Sequence, residues 1–277
     1  MNKLLHAGLR RLRQNRIFWV VLIAVFVLSL LNVYNSIRSW QSMTQDDYVV
    51  TLEDYFYNQA PFTGAFFAVF VSLFLGVEYS DGTIRNKLAV GCRRTDVYLS
   101  NFLVCLSANL LFLAVWLVCQ IPGFFVIGPM EMGAGGFLSY LAVAVCFTAA
   151  FTAIFTMVSM QTSNKAFSVV FVMAVWLVLV LAASGIYDRL CEPEFQGGYA
   201  FIDGVFTMVE PTPNPLYLTG TVRTALEWLL DLLPTGQAIL MADAVIEHPF
   251  REALLSLALT ALVTWGGVWL FRKKDIK

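Results

Sequence analysis

Histidine is scarce: the 277-residue chain has two, His6 and His248, far apart near opposite ends. Zinc-peptidase chemistry needs clustered ligands such as H-E-x-x-H, so that route is closed. No G-x-x-x-x-G-K-[ST] string occurs, which removes the phosphate cradle of a P-loop nucleotide hydrolase. Charge is thin as well, at 13% of residues against roughly 25% in an average soluble domain. The five cysteines form no disulfide framework. Cys105, Cys119 and Cys146 fall inside apolar runs, Cys92 belongs to the opposite side from Cys191, and Cys191 is left without an obvious partner. No small-residue cleavage site follows the first basic flank, so a cleavable signal peptide is not expected.

What the chain does have is apolar length. It is 58% hydrophobic with a mean hydropathy of +0.71. Lipid offers backbone amides no partner, so a segment that crosses it must satisfy its own hydrogen bonds as a helix of about 20 residues. Six runs qualify, at about 17–33, 61–77, 102–127, 137–160, 166–186 and 253–271. These define an all-α membrane protein of six transmembrane helices, read as a single transmembrane domain over 1–277. None of the six runs contains Asp, Glu, Lys, Arg or His. An intramembrane aspartyl protease is thereby excluded. An ion-coupled secondary carrier, which normally keeps ionisable groups at membrane depth, is disfavoured.

Six spans put both termini on one side. That side carries Lys3, Arg10, Arg11, Arg13, Arg16, Arg85, Lys87, Arg93, Arg94, Lys165, Arg272, Lys273, Lys274 and Lys277, 14 of the 18 basic residues. The other side keeps Arg38, Arg189, Arg223 and Arg251, with 15 of the 19 acidic residues, Asp46, Asp47, Glu53, Asp54, Glu192 and Glu194 among them. The positive-inside rule places both termini in the cytoplasm. It also accounts for the basic residues as anchors, so nucleic acid is not an expected partner.

Residues 3–16, KLLHAGLRRLRQNR, set Leu5, Leu9 and Leu12 on one helical face and Arg10, Arg13 and Arg16 on the others, which reads as an interfacial helix within 1–16 on the inner leaflet. A plain basic flank is the alternative. Outside lie a polar loop at 34–60, a tight turn at 128–136 and a long segment at 187–252. Within the last, TALEWLLDLLPTGQAILMADAV is apolar but interrupted by Glu227, Asp231 and Pro234. It is too broken to span. It forms either two short helices resting on or dipping into the outer leaflet, or part of a small soluble cap. Pro122 and Gly123 interrupt the third run near its outer end, where a kink or a helix end is expected.

The inner loop at 78–100 is unusually charged. Ser80 or Asp81 is placed to cap a short helix through Ile84, Arg85, Asn86, Lys87 and Leu88, Gly91 to end it, and Thr95 or Asp96 to cap the third span. Ile84 and Leu88, four apart, point one way, as suits a shallow groove on a partner. The string Glu78-Tyr79-Ser80-Asp81-Gly82-Thr83-Ile84-Arg85-Asn86-Lys87-Leu88, followed by Arg93 and Arg94, resembles the cytoplasmic loop of permease subunits of type-two ABC exporters. The ending Phe271-Arg272-Lys273-Lys274-Asp275-Ile276-Lys277, and Leu233-Pro234-Thr235-Gly236-Gln237 before the last span, are similar to that family too.

The resemblance implies that the loop is a coupling helix seated on a separate ABC ATP-binding subunit. ATP and Mg then belong to that subunit, with no cofactor and no catalysis on this chain. It further implies a second permease chain, as a homodimer in the simplest case, in the cell membrane of a bacterium, and export of amphipathic or hydrophobic substrates such as peptides. A merely solvated loop is the alternative for these residues. Glu78, at the inner boundary, has Arg85, a neighbouring helix, the ATPase or solvent as candidate partners. A non-transporting scaffold or sensor with a cytoplasmic partner is the competing function.

A substrate path has two candidates. Phe62, Phe66, Phe70 and Phe74 recur every four residues in the second run, and Thr148, Thr152 and Thr156 accompany Phe147, Phe151 and Phe155 in the fourth. Either these line a greasy cavity with a few polar contacts, or the rings pack between helices and against lipid while the threonines bond their own backbone.

Overall fold

A computed structural model describes residues 1–43, 51–196, 199–202, 205–208 and 210–275. Asp46, Asp47, Ile276 and Lys277, which enter the charge pattern and the C-terminal ending, lie outside the described residues. The chain opens with α1 (Asn2–Gln14) and α2 (Arg16–Met43). Asn15 divides them: its extended backbone stops α1, and its Oδ1 accepts the N–H of Ile17 at 2.8 Å, capping α2. Next come α3 (Glu53–Phe56), α4 (Ala60–Ser80), α5 (Thr83–Ala89), α6 (Arg94–Cys119) and α7 (Ile121–Val126). Then follow α8 (Gly133–Gln161) and α9 (Lys165–Leu190), the latter capped by Asn164, whose Oδ1 accepts from the N–H of Ala166 at 2.8 Å.

Among the described residues six helices are long and apolar enough to cross a membrane: Arg16–Ser42, Ala60–Ser80, Arg94–Val126, Gly133–Gln161, Lys165–Leu190 and Pro249–Lys273. All six overlie the apolar runs of the sequence but reach further, because a helix continues past its last apolar residue until a cap or break stops it. The extension carries charges onto the ends: Arg16 and Arg38 on α2, Glu78 on α4, and Arg251, Glu252, Arg272 and Lys273 on the final helix, α12 (Pro249–Lys273). At Gln120 the third span bends into α7, with Pro122 in its first turn, where its missing N–H costs nothing.

Between α9 and α12 lie short strands not anticipated from the helical pattern: β1 (Phe195–Gln196), β2 (Tyr199–Ile202), β3 (Val205–Met208) and β4 (Thr212–Pro213). They form two antiparallel ribbons, β1 with β4 and β2 with β3. Two helices follow, α10 (Gly220–Leu232) and α11 (Pro234–Ala242), joined at Leu233. α10 buries only Leu230 and Asp231, but α11 does not rest on the bundle. Pro234, Thr235, Gly236, Gln237, Ala238 and Met241 are all buried, and Thr235 donates its hydroxyl to the carbonyl of Leu179 at 2.9 Å. Leu179 lies 11 residues before the end of α9, about 16 Å down a helix rising 1.5 Å per residue, so the hairpin tip inserts deeply between the spans. Gly236 makes this turn possible, since a Cβ there would lie 2.1 Å from the carbonyl oxygen of Leu230.

α8 is the hub. It packs along α12 and against α4, α6, α9 and α11, while α6 also receives α1 and α2. Its buried face carries Tyr140, Phe147, Phe151 and Phe155, and Phe151 stacks on Phe155 at 5.5 Å between ring centres. By contrast α9 and much of α12 leave large apolar side chains exposed, among them Phe167, Phe171, Leu181, Leu262 and Trp265. A soluble protein would not present such a surface. A bilayer accepts it.

Candidate functional site

The basic residues gather at the end of the bundle holding both described termini, and there a buried carboxylate organises four helices. Glu78, in the last turn of α4, is 1% exposed. Arg11 of α1 and Lys87 of α5 both contact its Oε1, while Asn101 of α6 donates from Nδ2 to its Oε2 at 2.6 Å. Thr83, the first residue of α5, donates its hydroxyl to the backbone carbonyl of Glu78 at 3.0 Å. Taking a carboxylate out of water is costly unless it is paired and hydrogen-bonded, and here both conditions hold. Arg11 is fixed from its other side as well, with its guanidinium carbon 3.8 Å from the ring centre of Phe74.

α5 is set at its own angle by two glycines in left-handed backbone conformation. Gly82 (φ 67°) turns the chain out of α4 and occupies the N-cap position, so neither Ser80 nor Asp81 caps the helix. Ser80 instead bonds back to the carbonyl of Gly76 at 2.9 Å. At the far end Gly91 (φ 89°) closes a Schellman turn, its N–H bonding Leu88 at 2.9 Å and the N–H of Cys92 bonding Lys87 at 3.1 Å. Neither Thr95 nor Asp96 caps α6, whose N-cap residue is Arg93.

The faces of α5 are opposite in character. Ile84 is 1% exposed, and Leu88 packs against the same core, so this pair docks α5 onto its own bundle rather than onto a partner's groove. Asp81, Arg85, Asn86, Ala89 and Val90 are exposed, Val90 at 86%, with Arg93 beyond them. Arg85 is therefore not the partner of Glu78; Arg11 and Lys87 are. The outer face of α5 is a short mixed surface of a cation, an amide and a valine.

A second knot lies alongside. Arg94 donates to the carbonyls of Phe271 at 3.1 Å, of Arg272 at 3.3 Å and of Lys274, gathering the carbonyls at the end of α12. The carbonyl of Met160, one residue from the end of α8, accepts from the hydroxyl of Tyr79 and from the ammonium of Lys274 at 3.0 Å. Burial pulls the Lys274 ammonium down to about 8. The basic ends of α4, α6, α8 and α12 are thus joined within one residue of the Glu78 cluster.

Sequence reasoning placed Glu78, Thr83, Ile84, Lys87, Leu88 and Arg94 in this region, and the structure brings them together. It did not find Arg11, Asn101 or Tyr79. Arg11 was read only as a topological anchor, yet it lies seven residues after Leu4 and three after Gly8, on the stripe that packs against α6. Asn101 was hidden as one amide in a long apolar neighbourhood, although a polar side chain in a span generally faces its protein neighbours.

The proposed path residues are distributed. Phe62 is exposed and lines a cavity of about 300 Å³ with Trp176, Val180 and Ile239. Phe66 is half-buried. Phe70 and Phe74 are fully buried and stack on each other at 5.3 Å. Thr148 and Thr152 donate to carbonyls four residues back in α8, at 2.7 Å each, and Thr152 also accepts from Asn109 at 2.9 Å. Thr156 is buried beside them. Thr148 and Thr152 knit α8 to itself, and Thr152 ties it to α6.

Residues 4–186, from the helix that delivers Arg11 to the last turns of the fifth span, match the family model described as ABC-2 family transporter protein. The chain belongs to that family. It is a multi-pass membrane component of a transporter, a permease rather than a catalyst, and membership implies an ATP-binding partner. No curated protein sequence matches the chain.

Proposed function

We propose that this ABC-2 permease is the membrane subunit of an ATP-driven exporter that moves amphipathic or hydrophobic substrates, peptides in the first instance, out of the cell. In this reading the basic end is cytoplasmic, α5 is the coupling helix, and a separate ATP-binding subunit sits on Asp81, Arg85, Asn86, Val90 and Arg93, with Mg and ATP on that subunit. Two permease chains complete the bundle, in the simplest case two copies of this one.

The observation that carries the reading is the Glu78 cluster. A force applied to the exposed face of α5 reaches α4 through Lys87 and Thr83, and through Glu78 reaches Arg11 of α1 and Asn101 of α6. A solvated loop needs no buried carboxylate shared by four helices. Positive charge at the same end supports the orientation. The test is co-purification with a nucleotide-binding subunit and ATP-dependent transport of labelled peptides into inverted vesicles. Arg85→Glu is expected to weaken subunit association, and Glu78→Ala to uncouple ATP hydrolysis from transport with the subunit still bound. Full ATP-dependent transport by both variants removes α5 from the mechanism.

A further inference from the structure

At the acidic end, opposite the coupling surface, the Asp231 and Glu252 side chains come together in a setting that the exporter reading does not use. Gln237 of α11 donates to the carbonyl of Asp231 at 2.5 Å and to that of Glu252 at 3.0 Å, and receives the hydroxyl of Ser256 at 2.8 Å. This clamp fixes the end of α10 against the first turn of α12. Both carboxylates face a cavity of about 310 Å³ that Tyr187 and Leu240 also line.

The charges around the cavity do not balance. Glu227, Asp231, Glu247 and Glu252 stand against Arg223 and Arg251, with His248 beside them. Arg251 is committed to Asp231 and held 4.8 Å over the ring of Trp228, and Arg223 is committed to Glu227 at 3.1 Å. Glu252 is 1% exposed, and its Oε2 has no hydrogen-bond partner among the described residues. A buried carboxylate left in this state is expensive unless a proton or a cation meets it. Among the described residues no group of three or more His, Cys, Asp or Glu side chains is arranged to hold a metal ion. The wall instead offers separated acceptors suited to N–H donors, Glu252 deep in the cavity and the hydroxyl oxygen of Tyr187, whose proton is given to Asp243 at 2.5 Å.

We propose that this cavity is a binding site for an organic cation, an ammonium or guanidinium group, received by Glu252. The site lies across the bundle from α5 and does not depend on how the exporter is powered. The cation is either a free small amine or a basic side chain of a peptide, and both present the same donors.

The experiment is equilibrium binding of radiolabelled agmatine to the full-length chain in phosphatidylcholine nanodiscs, without nucleotide or ATPase subunit. Saturable binding is expected, displaced by butylammonium but not by butanol. Displacement by Gly-Lys-Gly-amide assigns the site to peptide side chains, and its failure assigns the site to free amines. Glu252→Gln is expected to weaken agmatine at least about tenfold, the effect of losing one charge-assisted contact. Where that variant does not elute as folded protein, Leu240→Trp, which fills the cavity and keeps every carboxylate, is expected to do the same. Arg85→Glu, at the other end, leaves binding unchanged even where it abolishes transport, which separates this site from the coupling reading. Absence of saturable binding, affinity unchanged in Glu252→Gln and Leu240→Trp, or displacement by equimolar Mg²⁺ overturns the proposal.

Discussion

Arg11 and Glu78, 67 positions apart, meet in direct contact where the N-terminal helix crosses the end of the second span. The pair is asymmetric: the carboxylate is almost fully buried, whereas the arginine is 29% exposed and rests on Phe74. Removing the carboxylate strands two cations, Arg11 and Lys87. Removing Arg11 leaves Lys87 and Asn101 still in place.

Glu78→Ala is therefore expected to cost about 3 kcal/mol, the usual penalty for breaking a buried pair from one side. Arg11→Gln should cost clearly less, and Arg85→Ala, on the exposed face of α5, within about 0.5 kcal/mol. Thermal melting of the three variants in detergent gives the order, and equal losses for Glu78→Ala and Arg85→Ala would refute the burial argument.

Gly8 lets α1 lie close to α6, since a Cβ there would come within 2.6 Å of Val104 Cγ2. Valine is stiff at χ1, so the helix rather than the valine must yield. Gly8→Ala should lower stability by about 1–2 kcal/mol. The loss should shrink in a Glu78→Gln background, because part of it is the loosened Arg11 contact. A double-mutant cycle measures this, and strict additivity would separate the two sites.

Gly236→Ala puts a methyl group onto the Leu230 carbonyl, with backbone rather than a flexible side chain in the way. The α10–α11 hairpin should withdraw from between the spans, at a cost above about 2 kcal/mol. Limited proteolysis at the hairpin, slow in the parent protein and fast in the variant, reports it.

Lys274 titrates at about 8 in the folded protein, below its ordinary value of 10.5. Between those values the unfolded chain binds more protons, so stability rises with pH there and is lowest below about 8. Lys274→Met should abolish this rise. Melting temperatures measured from pH 7 to about 10.4 in parent and variant decide it.

Cys191 is exposed at the acidic end, Cys92 is half-buried at the basic end, and Cys105 is sealed in the core. A membrane-impermeant maleimide should modify Cys191 in intact cells and Cys92 only after permeabilisation. The reverse pattern would invert the orientation read from the basic residues.

The six spans were legible because charge-free apolar length is a strong signal. The boundaries were not, since they depend on caps such as Asn15 and Gly82 whose effect is felt over one or two residues. Glu78 could be singled out from its position next to an apolar run, but its partners could not. Arg11 and Asn101 reach it through tertiary packing of α1 and α6, and no spacing along the chain encodes that approach. Ile84 and Leu88 were correctly placed on one face, and the pattern did not say which neighbour that face meets. For the α10–α11 segment, the breaks at Glu227, Asp231 and Pro234 argue against a full crossing, and the structure forms two helices there, of 13 and 9 residues. The depth of the tip follows from Gly236 and from the Thr235 bond to α9, both invisible to hydropathy.

Because Gln237 ties α10 and α11 to the head of α12 while Thr235 grips α9 halfway along its length, a tilt of the final helix drags a wedge through the middle of the fifth. The far rim of the bundle and its waist are thereby joined by one train of hydrogen bonds.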